Sequence, residues 1–179
     1  MNDGAAYSYA GNGGPFIATS SNLPILVAGG GGGHGYQNIS YSIRSVDGNG
    51  KYIQGADTAG SSSGYACGGA SFSYNSPGSA YCLSPGAYAF KNGGVGGSGY
   101  NAPYGFPRSR PWGDGGFGGG GGTYTGGGGG GGYSGGSGGA IITEGSVYGE
   151  GNQGYCYFGS ASNILQLSEV GGAGLVTIA

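Results

Sequence analysis

Charge is scarce in this chain: five Lys and Arg and seven Asp and Glu make up 7% of 179 residues, leaving a formal net charge of −2. Nucleic-acid binding draws its affinity from clustered Lys and Arg that displace counterions. Arg44, Lys51, Lys91, Arg108 and Arg110 are too few and too scattered for that. Long apolar runs are missing as well. No stretch approaches the ~20 apolar residues of a bilayer-spanning helix, so direct membrane insertion is not expected. The opening Met1-Asn-Asp-Gly4 has neither the basic nor the apolar region of a signal peptide.

Cysteine and histidine are equally sparse. Cys67, Cys82 and Cys156 include no Cys-x-x-Cys pair, which argues against a zinc site and against a dithiol redox motif. Two readings of these thiols stay open: a Cys67–Cys82 bridge closing a short loop in an oxidising compartment, or three small buried thiols. His34 is the single histidine, set in a glycine run far from any acid or cysteine in sequence. A Ser-His-Asp or Cys-His arrangement would have to use it, and a solvent-facing or turn-capping imidazole is the simpler expectation. The seven acidic residues stand singly with no Asp-x-Asp loop, so no metal site is expected. No catalytic residue, cofactor or enzyme activity is expected.

What the chain has instead is glycine, 52 residues of it, together with 16 tyrosines and 36% hydrophobic residues. Glycine and proline at this level point first to disorder, but the tyrosines and the hydrophobic share do not fit a flexible linker. Proline is limited to 7 residues and the tracts 118–122 and 126–132 do not hold glycine to every third position, which excludes collagen. Val27-Ala28 followed by five glycines imitates a strand entering a phosphate loop. A dinucleotide site needs a helix after the glycines and an acid further on, and here His34-Gly-Tyr-Gln-Asn-Ile-Ser40 follows, a turn and strand pattern.

Short β-branched and apolar runs cluster at the two ends. They are Pro15-Phe-Ile-Ala-Thr19, Leu23-Pro-Ile-Leu-Val-Ala28, Ala140-Ile-Ile-Thr143, Tyr155-Cys-Tyr-Phe158, Asn163-Ile-Leu-Gln-Leu167 and Gly174-Leu-Val-Thr-Ile178, each bounded by Gly, Asn or Ser. Such runs read as strands, and no helical period occurs. The expected fold is all-β, with essentially no α-helix. Residues 1–28 and 140–179 form a β frame, and 29–139 form a glycine-rich insert within a single domain, 1–179.

Glycine loses more entropy on folding than any other residue, so the tracts need a compensating order. A bundle of extended threefold helices, the polyglycine II form, supplies one: it has the polyproline II backbone with its N–H groups free. Without Cβ atoms such helices approach closely enough to bond backbone to backbone. The bundle buries little apolar area, so the terminal strands are expected to clamp it, and aromatic turns are expected to cover its flanks.

The order of four segments supports this. Leu23-Pro-Ile-Leu-Val-Ala28 with 29–33, Pro111-Trp-Gly-Asp-Gly-Gly-Phe117 with 118–122, the run 126–136, and Ile164-Leu-Gln-Leu-Ser-Glu-Val-Gly-Gly-Ala-Gly-Leu-Val-Thr-Ile178 together resemble the glycine-rich ectodomain region of the anaplastic lymphoma kinase and leukocyte tyrosine kinase receptors, over roughly residues 12–179. The resemblance implies a tumour-necrosis-factor-like β-sandwich interrupted by a polyglycine II bundle, an architecture also found in microbial and viral surface proteins. Thr123 stands where those receptors carry a cysteine, so their disulfide pattern does not transfer. No acidic cluster matches their recognition of basic ligands, and no ligand-binding residue is carried over.

Tyrosine suits contact surfaces because it offers large area at low entropy cost. The aromatics therefore either cap the bundle or recognise a partner. The densest patch is the proline-constrained loop carrying Tyr100, Tyr104, Phe106, Arg108, Arg110 and Trp112, suited either to a glycan or protein contact or to packing as a turn on the frame. Asn38-Ile-Ser40 has the form of an N-glycosylation acceptor. The functional expectation is a non-enzymatic extracellular structural or adhesive module at a cell or virion surface. Its partner would be a protein, a glycan or copies of itself in a fibre or layer. A ligand-binding receptor fragment and a phage or viral host-recognition tip are the alternatives.

Overall fold

A computed structural model describes residues 8–35, 56–80, 85–99, 113–143 and 147–159. Among these residues there is no α-helix; the chain is strand, extended segment and turn, with one 3₁₀ turn at Phe90–Asn92. Strands β1 (Phe16–Ala18), β2 (Pro24–Val27) and β5 (Tyr157–Phe158) form an antiparallel sheet in the order β1-β2-β5, and β3 (Ile141–Thr143) pairs with β4 (Val147–Tyr148). Four of the five fall within runs whose composition marks them as strands; β4 does not. The expected strands at 163–167 and 174–178 lie outside the described residues.

The β1–β2 hairpin closes where its sequence directs. Asn22 adopts φ 57°, a left-handed conformation that Asn tolerates better than most residues, and Thr19 accepts the Asn22 amide and donates its own to Leu23 O. Phe16 then faces Val27, which also faces Tyr157 across β5. Leu26 and Val27 are 4% and 0% exposed. Adjacent strand residues point to opposite faces, so both faces of β2 are covered at this end.

The glycine tracts are ordered by their backbone. Gly127, Gly128 and Gly129 donate to Gly149 O, Tyr9 O and Cys67 O; Gly130, Gly131 and Gly132 then donate to Asn152 O, Asn12 O and Ala70 O. The donors thus visit segments 149–155, 8–14 and 66–70 in turn, and repeat after three residues. Acceptors follow the same period. The carbonyls of Gly127, Gly128 and Gly129 receive Gly139, Gly33 and Gly121, and those of Gly130 and Gly131 receive Gly136 and Gly30. A three-residue repeat is what an extended threefold backbone produces.

Six segments therefore surround 126–132. The three that accept from it run parallel to it, and the three that donate to it, 28–34, 118–122 and 134–140, run antiparallel. Around the ring the two directions alternate, because each antiparallel segment also bonds to its parallel neighbours: Asn12 to Gly31 O, Gly151 to Gly33 O, Asn152 to Ser137 O, Gly69 to Gly136 O, Cys67 to Gly122 O and Gly11 to Gly121 O. Beyond the ring, residues 56–63 cover 134–140 through Gly135 to Thr58 O and Gly138 to Ser61 O, and Gly97 binds Gly120 O beside 118–122. Segments 8–14 and 149–155 thus join the lattice although they lie on the frame side of positions 28 and 140.

Spacing explains the glycine content. A Cβ built on Gly129 would fall on the hydrogen bond from Gly69 to Gly136 O, and one on Gly128 on the bond from Gly11 to Gly121 O. Ring segments need bare positions toward their ring neighbours, where a Cβ on Gly32 would fall on Gly151 O, and at every third residue toward the centre. Burial accordingly repeats every three residues, at Ser8, Gly11 and Gly14 and again at Gly30 and Gly33 and at Gly151 and Gly154. Gly118 and Gly119, at φ 94° and 87°, reverse the chain between 113–116 and 120–123, a conformation that glycine takes without strain.

An aromatic stack joins lattice to sheet. Phe72, 1% exposed, lies with its centroid 6.0 Å from Phe16 of β1, 5.0 Å from Phe90 and 6.3 Å from Tyr133. Phe16 stacks on Phe90 at 4.7 Å, and Tyr133 meets Tyr157 of β5 at 4.4 Å. Aromatic pairs at such distances contribute roughly 0.5–1.5 kcal/mol beyond their buried area.

Gly129→Ala is expected to cost at least the upper part of the ~1–3 kcal/mol typical of overpacking, because the atoms it meets are backbone. Gly64→Ala, whose Cβ meets nothing within 4 Å, is expected to stay within about 0.5 kcal/mol of the parent. Urea denaturation of the two variants side by side checks both, and equal stabilities would refute the lattice as the source of the glycine requirement. Phe72→Ala is expected to lose about 3–5 kcal/mol by the same measurement.

Candidate contact surface

Two sets stand out among the aromatic side chains of the described residues. Phe16, Phe72, Phe90, Tyr133 and Tyr157 form the stack between sheet and bundle, with the Lys91 ammonium 5.4 Å from the Phe72 centroid. Tyr9, Tyr74, Tyr88 and Phe117 are exposed by 59%, 60%, 40% and 75%, as is Val95 by 56%. The proline-rich loop with Tyr100, Tyr104, Phe106, Arg108, Arg110 and Trp112 lies outside the described residues, as do Asn38 and Cys82.

Three of the exposed groups stand on neighbouring segments whose backbones are bonded together. Tyr88 donates its amide to Val95 O at 2.8 Å, and Gly118 donates to Gly94 O at 2.7 Å. A methyl on Gly94 would lie 3.6 Å from the Phe117 ring. Val95 and Phe117 thus stand on adjacent chains, with Tyr88 paired to the first. This flank is built from segments whose amides and carbonyls are tied into the lattice through Gly97, Gly118 and Gly120, so the side chains sit on a fixed base.

Tyr133 belongs to the stack, between Phe72 and Tyr157. Burial holds its phenol pKa above the ordinary value of 10.0, with further upward pushes from the Asp57 and Tyr157 charges. Asp57 is itself fixed, accepting from Ser71 Oγ at 2.7 Å and from the Ser73 amide at 3.0 Å.

The remaining candidates divide as follows. Cys67 is fully buried and disulfide-bonded. Cys156 is a free, half-buried thiol that accepts the Gly29 amide at 3.4 Å. His34 is not simply solvent-facing: its Nδ1 stands 3.6 Å from Glu150 Oε1, with both side chains 23% exposed. Sequence distance concealed this pair, since the lattice brings segments 28–34 and 149–155 together. The phosphate-loop imitation fails for a physical reason, because Gly30 and Gly33 spend their amides on Gly131 O and Gly128 O. Thr123 is fully buried and its hydroxyl donates to Gly126 O, so it serves the lattice through a local bond.

Sequence reasoning missed Phe72 and Phe90, the centre of the stack. Their only signal is a large apolar residue amid small ones, in Ser71-Phe-Ser73 and Ala87-Tyr-Ala-Phe90. Compared with known proteins, the chain matches no family model and no curated protein.

A raised phenol pKa means that the fold favours the protonated ring. The stability it confers is fully present below pH about 10, and is lost as pH rises through the folded-state pKa, because the unfolded chain releases its proton first. Tyr133→Phe is therefore expected to flatten the fall in stability above pH ~10 relative to the parent. Denaturation midpoints across alkaline pH check this, and parallel curves for the two proteins would contradict it.

Proposed function

We propose that the chain is a non-enzymatic extracellular module, structural and adhesive, in which a rigid glycine scaffold presents aromatic side chains to a protein or glycan surface or to further copies of itself. The architecture that goes with this reading is a tumour-necrosis-factor-like β-sandwich frame holding a polyglycine II bundle. The three-residue hydrogen-bond period supports the bundle, and the β1-β2-β5 sheet with both faces of β2 covered supports the frame. The likeness to the glycine-rich region of the receptor kinases points the same way.

The observation that carries the function is the exposure of Tyr88, Val95 and Phe117, 40%, 56% and 75%, on one lattice-fixed flank. Contiguous apolar patches on soluble proteins mark interaction sites. Rings whose backbones are already ordered lose little entropy when they bind. The amides of Gly30 and Gly33, which might otherwise cradle an anion, bond inside the lattice, and on this flank contact chemistry falls to the side chains. A ligand-binding receptor fragment would share this architecture and rests on the resemblance alone.

Sedimentation across a wide concentration range tests the self-associating form. The parent is expected to grow in mass with concentration, and a Tyr88→Ser, Phe117→Ser double variant to remain monomeric with its thermal midpoint nearly unchanged. A parent that stays monomeric at high concentration would remove the fibre and layer readings.

A further inference from the structure

One position of the lattice beside segment 8–14 is taken by no described residue. Along this segment Tyr9 and Asn12 donate to 28–34, and Gly11 and Gly14 donate to 118–122. The third donor direction belongs to Ala10 and Gly13, whose amides donate to no described residue. Alongside runs an open groove of ≈ 480 Å³, within the range of known ligand sites, lined by Tyr9, Ala10, Asn12, Gly113, Asp114 and Gly116 among others.

The far wall keeps the two amides accessible. A methyl on Gly113 would sit 3.1 Å from Ala10 N, and one on Gly116 would sit 2.8 Å from Gly13 N. Bare backbone at both positions keeps side chains of this wall off the amides, three residues apart on each side. Three residues of threefold helix span ~9.3 Å, so the groove offers donors at the repeat of an extended threefold chain. At the rim stand Tyr9, 59% exposed, and the Asp114 carboxylate, whose Oδ1 is held by the Gly99 amide at 2.7 Å.

We propose that this groove binds an extended, glycine-rich peptide segment of a partner protein, which adds one more helix to the lattice. The segment runs antiparallel to 8–14, because both segments that already accept its amides, 28–34 and 118–122, do so. Its carbonyls, three residues apart, accept from Ala10 and Gly13. It is glycine-rich because Cβ atoms are excluded wherever two such backbones bond directly. The mode is the threefold counterpart of strand addition at a sheet edge. It uses backbone donors, not the side chains of Tyr88, Val95 and Phe117, and either contact can fail without the other.

The test titrates the isotope-labelled full chain with a synthetic peptide of roughly nine glycines, three turns of the threefold helix, flanked by lysines for solubility. Saturable shifts of the Ala10 and Gly13 amides are expected, with the matching alanine peptide binding at least about tenfold more weakly. Ala10→Pro removes one donor while its fixed φ suits a threefold backbone, and is expected to weaken binding by about tenfold, a loss of ~1.4 kcal/mol. Equal affinity for the alanine peptide, or unchanged affinity in Ala10→Pro, would overturn the proposal. So would amide shifts that appear with a gluco-oligosaccharide and not with the glycine peptide. Should Ala10→Pro fail to fold, the comparison of glycine and alanine peptides on the parent chain decides the question.

Discussion

A buried amide or carbonyl left without a partner costs roughly 1–3 kcal/mol, and residues 127–131 place ten such groups at the centre of the molecule with no side chain to help. Each residue solves this by giving its amide to one neighbouring segment and taking an amide from another. Three donor directions and three acceptor directions require six neighbours, and alternating chain directions let those neighbours bond to one another. The glycines follow from that geometry: where two backbones bond directly, a Cβ falls on the hydrogen bond of the next pair. The lattice is thus a hydrogen-bonded core in place of an apolar one, and its net gain per bond is small, about 0.5–1.5 kcal/mol.

Small gains set against the entropy of ordering so many glycines leave little surplus. Conventional burial has to contribute, and it does so where Phe72 and Phe90 of the glycine-rich region meet Phe16 of β1, and where Tyr133 meets Tyr157 of β5. Val27 and Leu26 continue this cover on β2. Because β2 runs directly into segment 28–34 and β5 follows directly on 149–155, two lattice segments are continuous with strands of the sheet. Sheet and lattice fix each other's register through the chain itself as well as through the aromatic stack.

Much of this was legible in composition and pattern. The runs around Phe16, Leu26 and Ile141 carry β-branched and aromatic residues between turn formers, and they are strands. The glycine tracts pair their backbones as the absence of Cβ permits. Less visible was the role of Gly11, Gly14, Gly151 and Gly154, which look like ordinary loop glycines yet mark every third, inward position of ring segments. Their spacing is a signal only once a central segment is assumed. His34 and Glu150 are far apart in sequence and meet because antiparallel neighbours in the ring align them. Phe72 and Phe90 escaped because isolated aromatics have no period to reveal which way they face.

A scaffold of this kind separates rigidity from recognition: backbone supplies the first, and side chains and open lattice edges supply the second. Everything rests on 126–132 being the hydrogen-bonded centre. Residue-resolved amide hydrogen exchange measures this directly. The amides of residues 127–131 are expected to be the most protected in the chain, exchanging only with global unfolding, while those of Ala10 and Gly13 exchange quickly. Coil-like exchange across 127–131 would contradict it.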